Sequence, residues 1–230
     1  MARKLVTTIS TALRDFELSS DIEQSELKRY TLYLNEWTAE ELKRLNGEIS
    51  LLENQPDQNT NRYIDALSDN YFYVSASLKR ILFNSSLVTC FSYVESKQKE
   101  LCELYLKYSN SKIKLKDLSG SGDFEKAIKF YKKVIGVEFS DEMNALYKNL
   151  MAFKDLRNLI VHHNSVLVSH KEKLIRDCFK NFILSRDIDI VNDVIFIRNH
   201  LLSLYLLDQG NLLQNAIIEK ILKQQATSKK

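Results

Sequence analysis

The stretch Phe153-Lys154-Asp155-Leu156-Arg157-Asn158-Leu159-Ile160-Val161-His162-His163-Asn164 decides how the rest of the chain is read. Leu146, Leu150, Phe153 and Leu156 recur through it and upstream of it at three- and four-residue steps, the period of one helical face. The segment is predicted to be the end of a helix. His163-Asn164-Ser165 forms its polar exit, because Asn and Ser compete for backbone hydrogen bonds and continue a helix poorly. Two of the four histidines of the chain sit here. Arginine is a permanent cation whose planar fork of donors suits phosphate oxygens, and histidine is the side chain best able to move protons near neutral pH. On an ideal helix, positions 157 and 162 lie about 140° apart around the axis and about 7.5 Å apart along it. They converge on one ligand only if His162 lies where the helix ends and unwinds.

The 230 residues suffice for one substantial core, with 44% hydrophobic and 27% charged side chains, as in an ordinary soluble protein. Five glycines and a single proline, Pro56, are few breakers, which favours long helices. The net charge of +3 is too small to argue for a nucleic-acid or membrane partner by itself, so any basic surface must be local. Cys90, Cys102 and Cys178 are odd in number and lack C-x-x-C spacing. They suggest neither a disulfide framework nor a thiolate zinc site, and a cytoplasmic protein is expected. The N-terminus lacks an apolar signal core, no segment approaches a membrane span, and no membrane partner is expected.

The predicted organisation is an N-terminal helical arm and linker over residues 1–59, a helical domain over 60–224 and a polar tail over 225–230. The first fifteen or so residues read as loosely attached. Ser20-Asp21-Ile22-Glu23 has the form of a capping box that opens a helix, and Thr38-Ala39-Glu40-Glu41 repeats it. The arm therefore reads as a helix or hairpin, ending at Asn54-Gln55-Pro56-Asp57-Gln58-Asn59. Residues 61–108 are almost continuously helical, with a weak point at Asn84-Ser85-Ser86. Ser119-Gly120-Ser121-Gly122-Asp123 is a loop that delivers a helix from Phe124 to Ile135, stopped by Gly136. Ser140-Asp141 caps the helix that carries Arg157 and His162. Ser169 to Asn181 is helical, and one short strand is expected near residues 185–191, where apolar and polar residues alternate from Asp187. A last helix is expected over residues 193–224, with a break near Asp208-Gln209-Gly210.

The segment Phe153–Asn164 resembles the signature helix of the HEPN superfamily, which carries Arg, a polar residue and His in the form R-x(4–6)-H. Phe91-Ser92-Tyr93-Val94-Glu95 followed by Leu101-Cys102 is similar to an early long helix of several HEPN families. Phe124-Glu125-Lys126-Ala127-Ile128-Lys129-Phe130-Tyr131 is similar to the helix that precedes the motif helix. The resemblance covers roughly Tyr71 to Tyr205 and leaves out the arm. It implies an all-α helical bundle of HEPN type that often pairs two-fold, and in many members a metal-independent endoribonuclease.

In that reading Arg157 and His162 are catalytic. RNA supplies its own nucleophile, the 2′-OH, so the protein needs only a proton carrier, His162, and a cation for charge building on the phosphoryl oxygens, Arg157. Asn158 orients the phosphate or the imidazole, and His163 is a second proton carrier. Glu95 holds Arg157 or raises the histidine's pKa. Lys126, Lys129, Lys132 and Lys133, with Lys112, Lys114 and Lys116 before them, supply a phosphate-tracking surface. The expected partners are RNA, a second copy of the chain and an antitoxin or other protein, in a toxin, stress or phage-defence role. No cofactor and no metal are expected: His162, His163 and His170 with Asp177 are ligand types, but no nearby Cys completes a zinc set. Two rival readings remain: a HEPN-like module that binds RNA, a nucleotide or a protein without catalysis, and an interaction protein that works through its arm and last helix.

Overall fold

A computed structural model describes residues 8–54, 58–109 and 111–227. The chain is all-α, with one short antiparallel hairpin among the described residues. Helix α1 spans Ile9–Leu52, α2 Gln58–Phe72, α3 Lys79–Tyr108, α4 Asp123–Phe130, α5 Asp141–His163, α6 Ser169–Cys178 and α7 Lys180–Leu184. Strands β1 (Ile188–Val191) and β2 (Val194–Ile197) follow, and α8 (Leu201–Thr227) closes the order. π-helical turns at Tyr73–Leu78 and Tyr131–Ile135 extend α2 into α3 and lengthen α4.

These elements divide into two compact units, one built from residues up to Leu27, Cys90–Lys154 and the chain from Tyr205 on, the other from Lys28–Thr89 and Asp155–Leu204. The boundary expected at residue 59 falls inside the second unit. In the first unit, Phe91 meets Phe124 edge-on at 6.1 Å between ring centroids, and Phe124 stacks on Tyr147 at 6.2 Å. Tyr131 is fully buried there, its hydroxyl donating to the Gln98 carbonyl at 2.7 Å. In the second unit, Leu45, Leu67 and Val74 form a cluster with Leu42, Ile49, Leu52 and Leu78.

Of the two forms expected for the arm, helix or hairpin, the chain takes the first, one 44-residue helix whose start is anchored by the buried Ala12 and Leu13. Ser20 and Thr38 lie inside it and open nothing. A hydroxyl acts as an N-cap only where the backbone before it is non-helical, and here Thr38 bonds back to the Asn35 carbonyl at 2.8 Å. Residues 1–7 and the core of the expected linker, 55–57, lie outside the described residues. Asn84-Ser85-Ser86 does not break α3 either. Ser86 turns inward, within hydrogen-bonding distance of Thr31 and Ser203 at 3.2 and 3.3 Å, so these polar side chains satisfy one another inside the second unit. The irregularity sits earlier, at the π-turn from Tyr73.

Gly136 ends the α4 segment in the left-handed region as expected (φ 80°), and Ser140 caps α5 through the Met143 N–H. The expected strand has a partner. Asn192 and Asp193 adopt φ of 50° and 61°, the signature of a two-residue type I′ turn, and Val194-Ile195-Phe196-Ile197 returns as β2 with Ile188 opposite Ile197. The last helix therefore starts at Leu201 and not at residue 193, because β-branched and aromatic residues after an Asn-Asp turn suit a pleated strand better than a helix start. It also runs unbroken through Gly210. A Cβ there would meet Val94 Cγ2 at 2.6 Å, so this glycine permits close packing and makes no turn. Residues 225–227 of the expected tail are helical, and 228–230 lie outside the described residues.

Candidate functional site

Helix α5 stays regular through His163, so His162 remains in its last turn. Arg157 is half-buried, and its Nη1 donates to Asn158 Oδ1 at 2.9 Å. His162, His163 and Asn164 are exposed. The regular backbone keeps the Arg157 and His162 directions about 140° apart in one chain.

The exit of α5 is built with strain and then pinned. Asn164 and Ser165 both take left-handed φ, 50° and 65°, a conformation that costs a serine roughly 1 kcal/mol. Ser165 is buried, and three hydrogen bonds hold it. Its N–H reaches the Leu159 carbonyl at 2.9 Å, its carbonyl accepts from the Ile195 N–H at 2.9 Å, and its Oγ accepts from Asn84 Nδ2 at 3.2 Å. Leu167 adds an N–H to the Asp193 carbonyl at 2.6 Å. The histidine end of α5 is thereby fastened to β2 and α3 within the second unit. Strain of this kind persists only where surrounding contacts over-determine it, as at binding and catalytic sites.

Asp155, two positions before Arg157, forms an ion pair with Lys171 of α6. Glu95 belongs to the first unit, where its Oε1 accepts the Phe124 N–H at 3.2 Å and occupies the positive end of α4. The lysines expected to track phosphate have different surroundings. Lys129 Nζ donates to the Ser119 carbonyl at 2.8 Å, and Lys132 lies 4.2 Å from the Phe139 ring centroid. Lys133 is exposed. Lys126 lines a cleft with Lys99, Lys114 and Lys116. Cys90 and Cys102 are buried and Cys178 partly so, none of the three in a disulfide, and burial pushes the Cys102 thiol up to about 12. Among the described residues, no three His, Cys, Asp or Glu side chains gather into a metal-binding group. No helix among them is long and apolar enough to cross a membrane.

Two features escaped the sequence reading. Phe196, on the outer face of the hairpin, carries the Arg198 guanidinium 5.1 Å from its ring centroid and that of Arg80 at 5.9 Å, while Arg198 Nε also bonds Asp189 at 2.7 Å. The F-I-R run after a turn was the available signal, but Arg80 is over a hundred residues away in sequence and only the fold brings it there. His200, just before α8, has a buried Nδ1 with no hydrogen-bond partner among the described residues. Burial holds its pKa below the ordinary value, against the pull of Glu36 and Asp187. Comparison with protein-family models, with curated proteins and with solved structures found no match.

Proposed function

We propose that the chain is a metal-independent endoribonuclease of HEPN type, working as a homodimer in which the α5 helices of two copies pair. His162 moves the proton between the 2′-OH and the departing 5′-oxygen, and Arg157 stabilises the charge on the phosphoryl oxygens. Cleavage then leaves a 2′,3′-cyclic phosphate and a free 5′-OH. Asn158 steadies the guanidinium, and His163 is the reserve proton carrier. A toxin, stress or phage-defence role, with an antitoxin as a protein partner, belongs to the same proposal, as do a cytoplasmic setting and an RNA-tracking role for the exposed lysines.

The observation that carries this reading is the pinned exit of α5. An exposed imidazole pair stands at the terminus of a helix whose end is locked by Ser165, five residues from a half-buried arginine that is hydrogen-bonded to its neighbour Asn158. Rigid placement of a proton carrier is what general acid–base catalysis requires. Because the regular helix separates Arg157 from His162 in one chain, each phosphodiester would meet the arginine of one copy and the histidine of the other. The test is cleavage of a generic RNA in EDTA by the wild type and by His162→Ala. The proposal expects activity only in the wild type, and equal activity in both, or none in either with several kinds of RNA, ends it.

The same separation favours the second reading, a non-catalytic HEPN-like module that binds RNA, a nucleotide or a protein through α5. Binding that survives His162→Ala and fails in Arg157→Ala, without product formation, would select it.

A further inference from the structure

Between α3, the start of α4 and the 3₁₀ turn Leu115–Asp117 lies a cleft of about 440 Å³, within the size range of small-molecule sites. Its floor is Leu106 and Leu115, the latter buried, and its walls carry Lys99, Lys114, Lys116 and Lys126 against Glu103 and Asp123. One of the two acids is already matched. Lys99 Nζ lies 3.1 Å from Asp123 Oδ2, and the pairing raises the lysine's pKa. The rest of the charged lining is three lysines, Lys114, Lys116 and Lys126, and one carboxylate, Glu103.

The local backbone sets up that imbalance. In Lys114-Leu115-Lys116, Leu115 turns inward and leaves a lysine on each side. Asp117 holds the turn, its Oδ2 accepting the Lys114 N–H at 2.9 Å and its own N–H reaching the Lys114 carbonyl at 3.0 Å. Its carboxylate keeps its charge but is turned to the backbone of the turn, and Asp117 is not among the residues that line the cleft. Lys126 completes the rim from the first turn of α4. Lysines are compact point charges suited to phosphate oxygens, and an apolar floor beside them suits the non-polar face of the molecule that bears the phosphate.

We infer that this cleft binds a small organic phosphate of nucleotide size, its phosphates among Lys114, Lys116 and Lys126 and its apolar part on Leu106 and Leu115. The site lies wholly in the first unit, and the inference is independent of any chemistry at Arg157 and His162.

The test is calorimetric titration of the full-length protein with ATP, with tripolyphosphate and with adenosine. ATP is expected to bind more tightly than tripolyphosphate, and adenosine most weakly. Lys116→Gln and Lys126→Gln should each weaken ATP binding by about tenfold, the worth of one charged hydrogen bond, with unchanged circular dichroism and melting temperature. Leu106→Ala should weaken ATP and leave tripolyphosphate unchanged, and Arg157→Ala should leave both as in the wild type. ATP affinity that ignores the lysine substitutions, or is lost in Arg157→Ala, overturns the inference. So does an RNA oligonucleotide as the only ligand bound, or no binding of ATP at millimolar concentration.

Discussion

Asn84 Nδ2 donates to Ser165 Oγ at 3.2 Å and so ties α3 to the residue on which α5 leaves its helix. The bond spans 81 positions of sequence and fixes the backbone directly after His162 and His163. Asn84→Ala should cost about 1 kcal/mol of stability, and Ser165→Ala somewhat more, because the alanine keeps the left-handed strain and loses the hydroxyl. Ser165→Gly should be close to neutral, since relief of strain offsets the lost bond. Denaturant titration of the three variants checks that order.

Gly210→Ala should destabilise the first unit by about 1–3 kcal/mol, because the new methyl meets the Val94 side chain inside ordinary contact distance. Val94→Ala would make room, so the double variant should be more stable than the sum of the single losses predicts. A double-mutant cycle on melting temperature reads that coupling.

Glu125 accepts from Ser121 and pairs with the buried Lys154, and the Lys154 ammonium foremost holds its carboxyl at about 2 against an ordinary 4.5. A lowered acid pKa contributes stability above the unfolded value and loses it as pH falls toward the folded one. Unfolding followed from pH 4.5 downward should show this loss in the wild type. Glu125→Gln should flatten that slope and lower stability at neutral pH by about 2 kcal/mol, because the buried Lys154 loses its anionic partner.

His200 works in the other direction from a paired histidine. Its pKa is lowered from 6.5, chiefly by burial, so below 6.5 the unfolded chain takes up a proton that the folded one resists. Stability is complete above that value and falls with pH below it. His200→Gln should remove this contribution, which a comparison of melting temperatures between about pH 7.5 and pH 5 measures.

Helix content was legible in the sequence because it follows from few breakers and from local apolar periodicity. The cap at Ser140, the stop at Gly136 and the end of α5 near His163 are likewise short-range features, set by residues adjacent to the element they bound. What failed was long-range. Ser20 and Thr38 read as caps because their side chains can serve as caps, and only the burial of Ala12 and Leu13 in the first unit shows that the helix has already begun. Gly210 read as a break because glycine has two uses, and the choice between them depends on Val94, distant in sequence. Strand β2 was hidden because Val-Ile-Phe-Ile is apolar enough for either a helix or a strand, and the Asn192-Asp193 turn decides it. At the site, the exposure of His162 and His163 follows from the helix end, whereas the engagement of Glu95 with α4 depends on packing that no spacing reveals.

Arg157 of one copy and His162 of another, acting on the same phosphodiester, should complement each other across a dimer. The decisive measurement is RNA cleavage in EDTA with Arg157→Ala, with His162→Ala and with an equimolar mixture of the two after subunit exchange. Each variant alone should lose at least about a hundredfold in rate. The mixture should recover about a quarter of the wild-type rate, since half of the dimers are mixed and each of those holds one intact site of two. A mixture no more active than its components, beside an active wild type, would contradict this pairing.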